Sequence, residues 1–385
     1  MNILGIETSC DETACAVVKD GREVVANVVY TQIPLHRPYG GVVPEIASRA
    51  HVEKITEVVR TALAQFGAAR PGETIDAVAV TYGPGLSPAL LVGLNAAKGL
   101  ALARNIPLIG VNHIEAHLHT PFLCEADGPV APAPETVVPA LGLAISGGHT
   151  NWFDVPAYGR YRTIGQTLDD AAGEAFDKAA KLLGLGYPGG PKVDMIAKAY
   201  RAFMAESGHT DREIGKSLIP FPKGHPREGV TALAGLPAEL CVSFSGLKTA
   251  LLRHVQQHPE LLAPAAGAPT LAYGKNGDLP VTVAVAQVVA SYQEAIVQAV
   301  ADRTRTALRR GGYRALLLGG GVSLNSRLRT VLGELCAHAR IPLLMARPKY
   351  CGDNGAMIAG LAYYRRSVTG EDALRLDVAP SLEVG

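Results

Sequence analysis

The order of predicted strands and helices constrains the fold of this chain more than any other feature of its sequence. Residues 3–6, 14–18 and 23–30 are short apolar runs separated by turn residues, which predicts a meander of antiparallel strands. Helix, strand, helix, strand and helix patterns follow, and the whole order recurs from residue 140 onward. Such a repeat, without obvious sequence identity, indicates an internal duplication of topology. We therefore expect an α/β protein made of two similar lobes.

The boundaries of the two lobes follow from this repeat. A chain of 385 residues is long enough for two domains. We predict an N-terminal lobe over residues 1–124 and a C-terminal lobe over residues 125–353, with a closing helix over residues 354–385 that packs back on the first lobe. Two stretches, near residues 206–239 and 257–278, do not fit the repeat, and we predict that both are surface insertions.

Composition argues against several classes of protein. The six cysteines are scattered without a C-x-x-C pair, which argues against both a zinc ribbon and a disulfide framework. No apolar run approaches the ~20 residues of a membrane span without an interruption, so we expect no membrane partner and a cytoplasmic protein. The formal net charge is only +1, so a nucleic acid would have to meet a local basic patch. Candidates are Arg303, Arg305, Arg309, Arg310 and Arg314, although a solvated helix face explains the same cluster.

A short stretch at residues 112–117 offers ligands for a metal ion. In a helix, His113 and His117 lie one turn apart on the same face, where two imidazoles can bind one cation. Glu115 then points to the opposite side, and Ile114 stands where a zinc protease needs its glutamate base. The alternative is an ordinary half-buried histidine pair. A metal site therefore requires further ligands from elsewhere in the chain.

Asp353 precedes the last predicted helix and can supply a third ligand. Its alternative role is the N-cap of that helix. With His113 and His117 it would complete a set of two histidines and one carboxylate, which suits Fe(II) or Zn(II) and leaves coordination positions open. A purely structural zinc site would instead close all four positions.

Glycine-rich turns follow predicted strands at four places, residues 8–13, 83–85, 146–150 and 319–321. Glycine lets the backbone approach a phosphate closely, and exposed N–H groups can hold the negative charge. Four such turns in two matched halves predict a nucleotide in the cleft between the lobes. The sequence has neither a G-x-x-x-x-G-K-[ST] P-loop nor a Rossmann fingerprint, so the turns themselves must hold the phosphates.

Polar residues near these turns are candidates for substrate contacts. Asn325 follows the last glycine turn and can present its amide to a nucleoside, or it is simply a residue in the first turn of a helix. Asp177 and Asp194 can accept hydrogen bonds from a ribose or a polar side chain, although exposed helix charges would need no such role. Glu12, beside the first turn, is a candidate general base or water-positioning group.

Several motifs, in one order, resemble those of the universal tRNA N6-adenosine threonylcarbamoyltransferase family, formerly described as O-sialoglycoprotein endopeptidases. The resemblance extends from residue 2 to about residue 364 and is carried by GIETSCDET at 5–13, YGGVVPE at 39–45, HIEAH at 113–117, SGGHT at 146–150, DDAAGEAFDK at 169–178, SFSGLK at 243–248, GGVSLN at 320–325 and DNGAM at 353–357. So many blocks in the same order make the resemblance specific.

The resemblance implies the actin-like ATPase (ASKHA) fold, with two tandem ribonuclease-H-like lobes and a nucleotide cleft between them. It implies transfer of the threonylcarbamoyl group from threonylcarbamoyl-AMP to N6 of adenosine 37 in tRNAs that read codons beginning with A. It implies one divalent metal per subunit, Fe²⁺ first with Zn²⁺ or Mg²⁺ as alternatives, held by His113, His117 and Asp353, and binding of ATP or ADP. The substrate contacts it implies are Ala144, Ile145, Ser146, Gly147, Gly148, Asp177, Gly190, Asp194 and Asn325.

The resemblance also implies partners, namely tRNA and, in bacteria, a degenerate paralogue as dimer partner and a small P-loop ATPase. Because the adenine amine is a poor nucleophile, the carbamoyl carbon must be polarised and oriented, which an open metal site can do. The sequence has no triad that demands a covalent intermediate, so we expect direct transfer. The alternatives are an ATPase or small-molecule kinase of the same fold, a metal-dependent glycopeptidase, and a non-catalytic partner subunit.

Overall fold

The computed structural model describes residues 1–226, 235–274, 277, 279–365 and 371–384 of the chain. Its first part forms the following elements, in order: β1 (Asn2–Glu7), β2 (Glu12–Lys19), β3 (Glu23–Thr31), α1 (Ile33–His36), α2 (Pro44–Ala69), β4 (Ala77–Gly83), α3 (Ser87–Arg104), β5 (Leu108–Asn112) and α4 (His113–His119). The strands form one sheet in the order β3-β2-β1-β4-β5, antiparallel among the first three strands and parallel from β1 to β5. The predicted meander is confirmed.

The second part repeats this topology. Its elements are β6 (Ala140–Ile145), β7 (Thr150–Ala157), β8 (Arg160–Gln166), α5 (Ala172–Leu182), α6 (Gly189–Glu206), α7 (Asp211–Ser217), α8 (Ser245–Gln257), β9 (Thr270–Tyr273), β10 (Leu279–Thr282), α9 (Val283–Arg310), β11 (Ala315–Gly319), α10 (Ser326–Ala339), β12 (Leu343–Met345), α11 (Gly355–Ala362) and α12 (Glu371–Arg375). The second sheet has the order β8-β7-β6-β11-β12, which corresponds strand for strand to the first. The expected duplication is therefore confirmed.

The central strands are buried throughout because helices cover both faces of each sheet. Every residue of β1 and of β6 is buried, and both strands are almost continuous apolar runs. The longest helix, α9, is apolar and long enough to span a membrane by composition and length alone. Most of its 18-residue apolar window, 72%, is buried inside the protein, as in the core helix of a soluble protein.

The two expected insertions are partly ordered into secondary structure. The stretch near 206–239 contains α7, and its residues 227–234 lie outside the described residues. The stretch near 257–278 follows α8 and contains β9, which pairs with β10 in a two-stranded antiparallel sheet. Residues 275, 276 and 278 lie outside the described part of the chain. Neither α7 and α8 nor this hairpin was expected from the sequence.

The closing segment, expected as one helix over residues 354–385, is divided. Only α11 and the short α12 are helical, and an extended stretch follows α12 to residue 384, while residues 366–370 and 385 lie outside the described residues. Helix α11 packs tightly on β1, because a Cβ atom on Gly5 would lie 2.4 Å from the carbonyl oxygen of Gly355. The segment is therefore not the single helix that was expected.

Helix α4 lies between the two sheets. All seven of its residues are buried. Ala116 packs in the apolar cluster of β1 and α11, whereas Ile114 and Leu118 pack against residues of β6 and β11 in the second sheet. The helix that contains the predicted metal ligands therefore contacts both lobes.

Candidate metal centre and donor site

Helix α4 begins at His113 because Asn112 caps it. The Asn112 side-chain oxygen accepts hydrogen bonds from the N–H groups of Ile114 (2.9 Å) and Glu115 (3.2 Å). His113 and His117 then lie on one face, with ring centroids 4.6 Å apart. Glu115 points away from them and forms an ion pair with Arg365. The helical spacing expected from the sequence is confirmed.

The structure brings Asp353 to both histidines. Asp353 Oδ1 lies 3.2 Å from His117 Nε2 and 3.7 Å from His113 Nε2. One nitrogen from each ring and one carboxylate oxygen lie within 4.8 Å of one another. Ligand atoms about 2.1 Å from one ion are separated by about 3.0–3.4 Å in octahedral or tetrahedral geometry. The observed separations are close to that range, so small movements suffice to bind one cation.

Two further observations fit a metal ion at these residues. Within the part of the chain that the structure describes, both ring nitrogens of His117 are buried and lack a hydrogen-bond partner, although Nε2 lies at ion-pair distance from Asp353. Asn354, not Asp353, caps α11, because its side-chain oxygen accepts a hydrogen bond from Met357 N (3.0 Å). The alternative role of Asp353 as N-cap is therefore wrong, and its carboxylate is available to a ligand.

Glu7 is a candidate site residue that the sequence did not single out. Its side chain is fully buried, and its Oε2 atom lies 3.1 Å from His113 Nδ1 and accepts a hydrogen bond from Thr81 Oγ1 (2.5 Å). The other oxygen accepts from the N–H of Ser9. A carboxylate on Nδ1 orients the ring and would direct Nε2 toward a bound cation, as in many metal sites. An acidic residue ending an otherwise apolar buried strand was the available signal.

Charges in this centre shift several pKa values. Burial alone would lower the pKa of His113, but the carboxylates of Asp353 and Glu7 raise it to about 9. Burial alone would raise the pKa of Asp353, but His113 and His117 hold it well below its usual range. His149, whose ring centroid lies 6.1 Å from that of His113, has its pKa lowered to about 3 by burial and by the two other histidines. His113 is therefore expected to be protonated at neutral pH unless a cation displaces its proton.

Metal binding is accordingly expected to release a proton. A cation binds the unprotonated imidazole, so below pH 9 it must displace the proton of His113, which faces Glu7, Asp353, His117 and His149. We expect the apparent affinity for Zn²⁺ to rise by up to about tenfold per pH unit between pH 7 and 9 and then to level off. Competition with a chelator of known affinity measures this dependence. An affinity that is constant from pH 7 to 9 would contradict it.

The glycine turns of the second lobe adjoin this centre. A Cβ atom on Gly319 would lie 2.0 Å from the carbonyl oxygen of His117, and one on Gly320 would lie 2.4 Å from that of Ile145. Gly320 also has a φ of 92°, which favours glycine. Beyond β6, Gly147 and Gly148 are exposed and face open space, while Ser146 N donates to His149 O (2.8 Å). The turn after β6 can therefore present backbone N–H groups to a phosphate.

The turn at residues 83–85 is not open in this way. Gly85 N donates to Pro380 O (3.1 Å) and Ala379 N donates to Tyr82 O (2.8 Å), so the extended C-terminal stretch covers it. In the first turn, Ser9 N donates inward to Glu7. The expectation that all four turns offer free N–H groups to a phosphate is therefore wrong for these two amides. The distant carbonyl of Pro380 accepts the hydrogen bond of Gly85, whereas the side chain of Glu7, two residues earlier in the chain, accepts that of Ser9.

The polar residues expected to contact substrate form two pairs. Asp177 Oδ1 accepts a hydrogen bond from Gly189 N (2.6 Å), which places it beside Gly190 at the start of α6. Asp194 Oδ1 accepts from Ser326 N (3.0 Å) and Ser326 Oγ (2.9 Å), next to Asn325. In both residues the Oδ1 atom holds a neighbouring backbone segment in place. A ligand would therefore contact the Oδ2 atom of Asp177 or of Asp194.

Asn325 caps α10 and keeps a spare donor. Its Oδ1 atom accepts a hydrogen bond from Leu328 N (3.0 Å), so it is an N-cap rather than a residue of the first turn. Among the residues that the structure describes, its Nδ2 atom is buried without a hydrogen-bond partner. A buried unpaired donor is costly unless a ligand or water accepts from it. This amide therefore fits recognition of a bound molecule.

Glu12 begins β2 at the edge of the cleft between the lobes. Its carboxylate accepts a hydrogen bond from Thr31 Oγ1 (3.2 Å). Burial and the neighbouring Asp11 raise the pKa of Glu12 well above its usual range. Tyr187, from the second lobe, has its pKa raised by burial and by the charges of Asp11 and Asp177. The carboxylates and Tyr187 are thus close enough across the cleft to influence each other's charge.

One member of the predicted arginine cluster is buried rather than on the surface. Arg303 is 3% exposed and donates to the carbonyl oxygens of Cys241 (3.0 Å) and Gly224 (3.1 Å). Arg305 pairs with Asp302 and Arg310 with Glu239. The prediction that Arg303 contacts a nucleic acid is wrong, because its guanidinium donates to loop carbonyls inside the second lobe.

Two matching α/β lobes, whose glycine turns meet beside two histidines and an aspartate, define a protein of the actin-like ATPase fold with a candidate metal centre. The profile of TsaD, tRNA N6-adenosine threonylcarbamoyltransferase, matches residues 23–360. The chain belongs to this family.

Two relatives agree with this placement, and one solved structure serves for comparison. A tRNA N6-adenosine threonylcarbamoyltransferase of Anaeromyxobacter dehalogenans (strain 2CP-1) is 48% identical over 358 residues, which cover 93% of this chain and 92% of the relative. One of Geobacter sp. (strain M21) is 43% identical over 380 residues, 99% and 96% of the two chains. Component A of the (R)-2-hydroxyglutaryl-CoA dehydratase of Acidaminococcus fermentans aligns with a TM-score of 0.46, 13% identity and coverage of 97% and 99%.

Proposed function

We propose that this chain transfers the threonylcarbamoyl group of threonylcarbamoyl-AMP to N6 of adenosine 37 in tRNAs that read codons beginning with A. The observation that carries the proposal is the convergence of His113, His117 and Asp353 beside the glycine turn of the second lobe. The curated relatives bear the name of this activity. Because the chain belongs to the threonylcarbamoyltransferase family, the alternative of an ATPase or small-molecule kinase of the same fold is not favoured.

In this proposal His113, His117 and Asp353 hold one divalent cation. Two imidazoles and one carboxylate suit Fe²⁺ best and Zn²⁺ next, whereas Mg²⁺ prefers oxygen ligands. The bound ion would act as a Lewis acid on the carbamoyl carbonyl. Glu7 holds the Nδ1 proton of His113, which leaves Nε2 as the ligand atom.

The donor molecule is bound by the second lobe. Ala144 and Ile145 end β6, and the N–H groups of Gly147 and Gly148 hold the phosphate of the AMP moiety. Ser146, whose own N–H donates to His149 O, positions this turn. The Asn325 amide, Gly190 and the free oxygens of Asp177 and Asp194 contact the nucleoside. Fixed donors on a leaving phosphate stabilise its charge without reorganisation.

Glu12 accepts the proton that leaves the adenine amine. Its raised pKa makes its ionised form a stronger base than an exposed glutamate. Its partners are Thr31, which donates to its carboxylate, and Asp11, whose charge raises its pKa. We also propose that the chain acts in the cytoplasm with a degenerate paralogue and a small P-loop ATPase, and that it binds ATP or ADP.

Reconstitution tests this function. Purified protein, metal, threonylcarbamoyl-AMP and unmodified tRNA are incubated with and without the proposed partners, and the digested nucleosides are analysed by mass. We expect the modified adenosine to form, and Asn325→Ser to raise the KM for the donor about tenfold with unchanged metal affinity, since serine retains the helix cap but loses the amide donor.

The alternative ATPase makes the opposite prediction. It would hydrolyse ATP at the wild-type rate after His113→Gln, because Mg²⁺ bound through oxygen ligands needs no imidazole. A protein that turns over nucleotide in this way and leaves tRNA unmodified, with every partner present, would contradict the transferase proposal.

A further inference from the structure

An exposed aromatic residue and an exposed arginine stand on the loop between β3 and α2. Residues Arg37–Tyr39 form one turn of 3₁₀-helix, and the Tyr39 side chain is 58% exposed. Arg37 is also exposed. Gly40, with a φ of 68°, ends the turn. A tyrosine this exposed contributes little to the core, so its position needs another explanation.

The loop is held in place by buried polar side chains. Gln32 N donates to Asp11 O (2.9 Å), and Gln32 Oε1 lies 3.2 Å from Nε2 of the fully buried His36. His51 Nδ1 lies 2.8 Å from Thr13 Oγ1, and its Nε2 lies 3.0 Å from Cys10 O. The loop therefore presents Arg37 and Tyr39 from a fixed base, which is anchored on the turn that contains Glu12.

Across the cleft, Lys181 of α5 faces this loop. A Cβ atom on Gly40 would lie 3.4 Å from Lys181 Nζ. Lys181 follows Asp177 by four residues, so the two share a helix face and Lys181 lies about 6 Å further along the axis. Asp177 is one of the residues proposed to contact the threonylcarbamoyl-AMP substrate. The rim formed by Arg37, Tyr39 and Lys181 therefore borders the same cleft, about one helical turn from the donor site.

We propose that this rim, Arg37, Tyr39 and Lys181, binds the single-stranded loop of the tRNA substrate. Unpaired RNA bases stack on aromatic side chains, and arginine and lysine neutralise the phosphates beside them. With a net charge of only +1, the chain can attract RNA only through a local basic group of this kind. This inference rests on the proposed function and assigns the RNA-binding side of its cleft.

Binding of unmodified tRNA to the full chain tests the assignment. We expect Tyr39→Ala to weaken tRNA binding roughly 5- to 150-fold, as loss of one stacked base does, and Tyr39→Phe to retain the wild-type Kd. Arg37→Ala and Lys181→Ala should each lower the slope of log Kd against log salt concentration by about 0.7 per lost phosphate contact. The affinity for the AMP donor should stay unchanged in all four variants.

Matched variants and a second readout complete the test. Arg60 is an exposed arginine on α2 and Tyr363 an exposed tyrosine after α11, and alanine at either position should leave the Kd for tRNA and its salt slope unchanged. If Tyr39→Ala binds and modifies tRNA as the wild type does, the inference about the rim is wrong, while the proposed function stands. A wild-type protein that neither binds nor modifies tRNA, with its partners present, would overturn the proposed function as well.

Discussion

Replacing His117 by glutamine is expected to lower the metal affinity of this chain by more than about 100-fold, since loss of an outer-shell partner alone typically costs 10- to 100-fold. The imidazole is 1% exposed, lies 3.2 Å from Asp353 and, in the described part of the chain, lacks a hydrogen-bond partner at either nitrogen. Only two ligands then remain. Chelator competition measures the affinity, and tRNA modification at limiting metal should fall with it.

A histidine two residues further along the same helix provides the control. His119 Nε2 lies 2.7 Å from Gly21 O and its Nδ1 contacts the Tyr158 hydroxyl, so its role is structural. We expect His119→Gln to keep wild-type metal affinity while losing about 1–3 kcal/mol of the free energy of unfolding. Wild-type metal content in His117→Gln would remove this residue from the proposed ligand set.

Gly319→Ala is expected to destabilise the protein and to disturb the metal centre at the same time. The added Cβ would lie 2.0 Å from the carbonyl oxygen and 2.6 Å from the carbonyl carbon of His117, so backbone atoms have to move. Overpacking of this kind costs about 1–3 kcal/mol or more, and a backbone clash belongs at the upper end. Because α4 must shift, metal affinity should also fall. Denaturant unfolding and chelator competition measure the two effects.

Gly321→Ala is the matched control, two residues further along the same turn. A Cβ atom there would have no neighbour within 4 Å among the described residues, so we expect a change of less than about 0.5 kcal/mol and unchanged metal affinity. If Gly319→Ala and Gly321→Ala unfold at the same denaturant concentration, the close packing of this turn on α4 does not matter for stability.

Local patterns predicted most of the secondary structure. The two meanders, the helical spacing of His113 and His117 and the long helix after residue 282 all follow from apolar periodicity and turn residues, which act over a few positions along the chain. Among the elements missed, α7, α8 and the β9–β10 hairpin lie in or beside the stretches that depart from the repeat. In those stretches the chain has no counterpart in the other lobe, so the repeat could not help to predict their secondary structure.

The role of a polar group depended instead on its neighbours in space. Local sequence allowed either Asp353 or Asn354 to cap α11, and only the folded chain assigns the cap to Asn354. The glycine turn at residues 83–85 was expected to offer free N–H groups, but in the folded chain Gly85 N donates to Pro380 O of the C-terminal stretch. Arg303 looked like a surface charge, but it is buried among loop carbonyls.

The order of residues along the chain was enough to predict the two-lobed α/β architecture, the family motifs and the helix face shared by His113 and His117. The folded chain was needed to learn that Asp353, 240 residues after His113, reaches both imidazoles, and that Glu7 contacts the opposite nitrogen of His113. Apolar periodicity specifies which side of an element is buried. Which distant side chains meet there depends on how sheets and helices pack together.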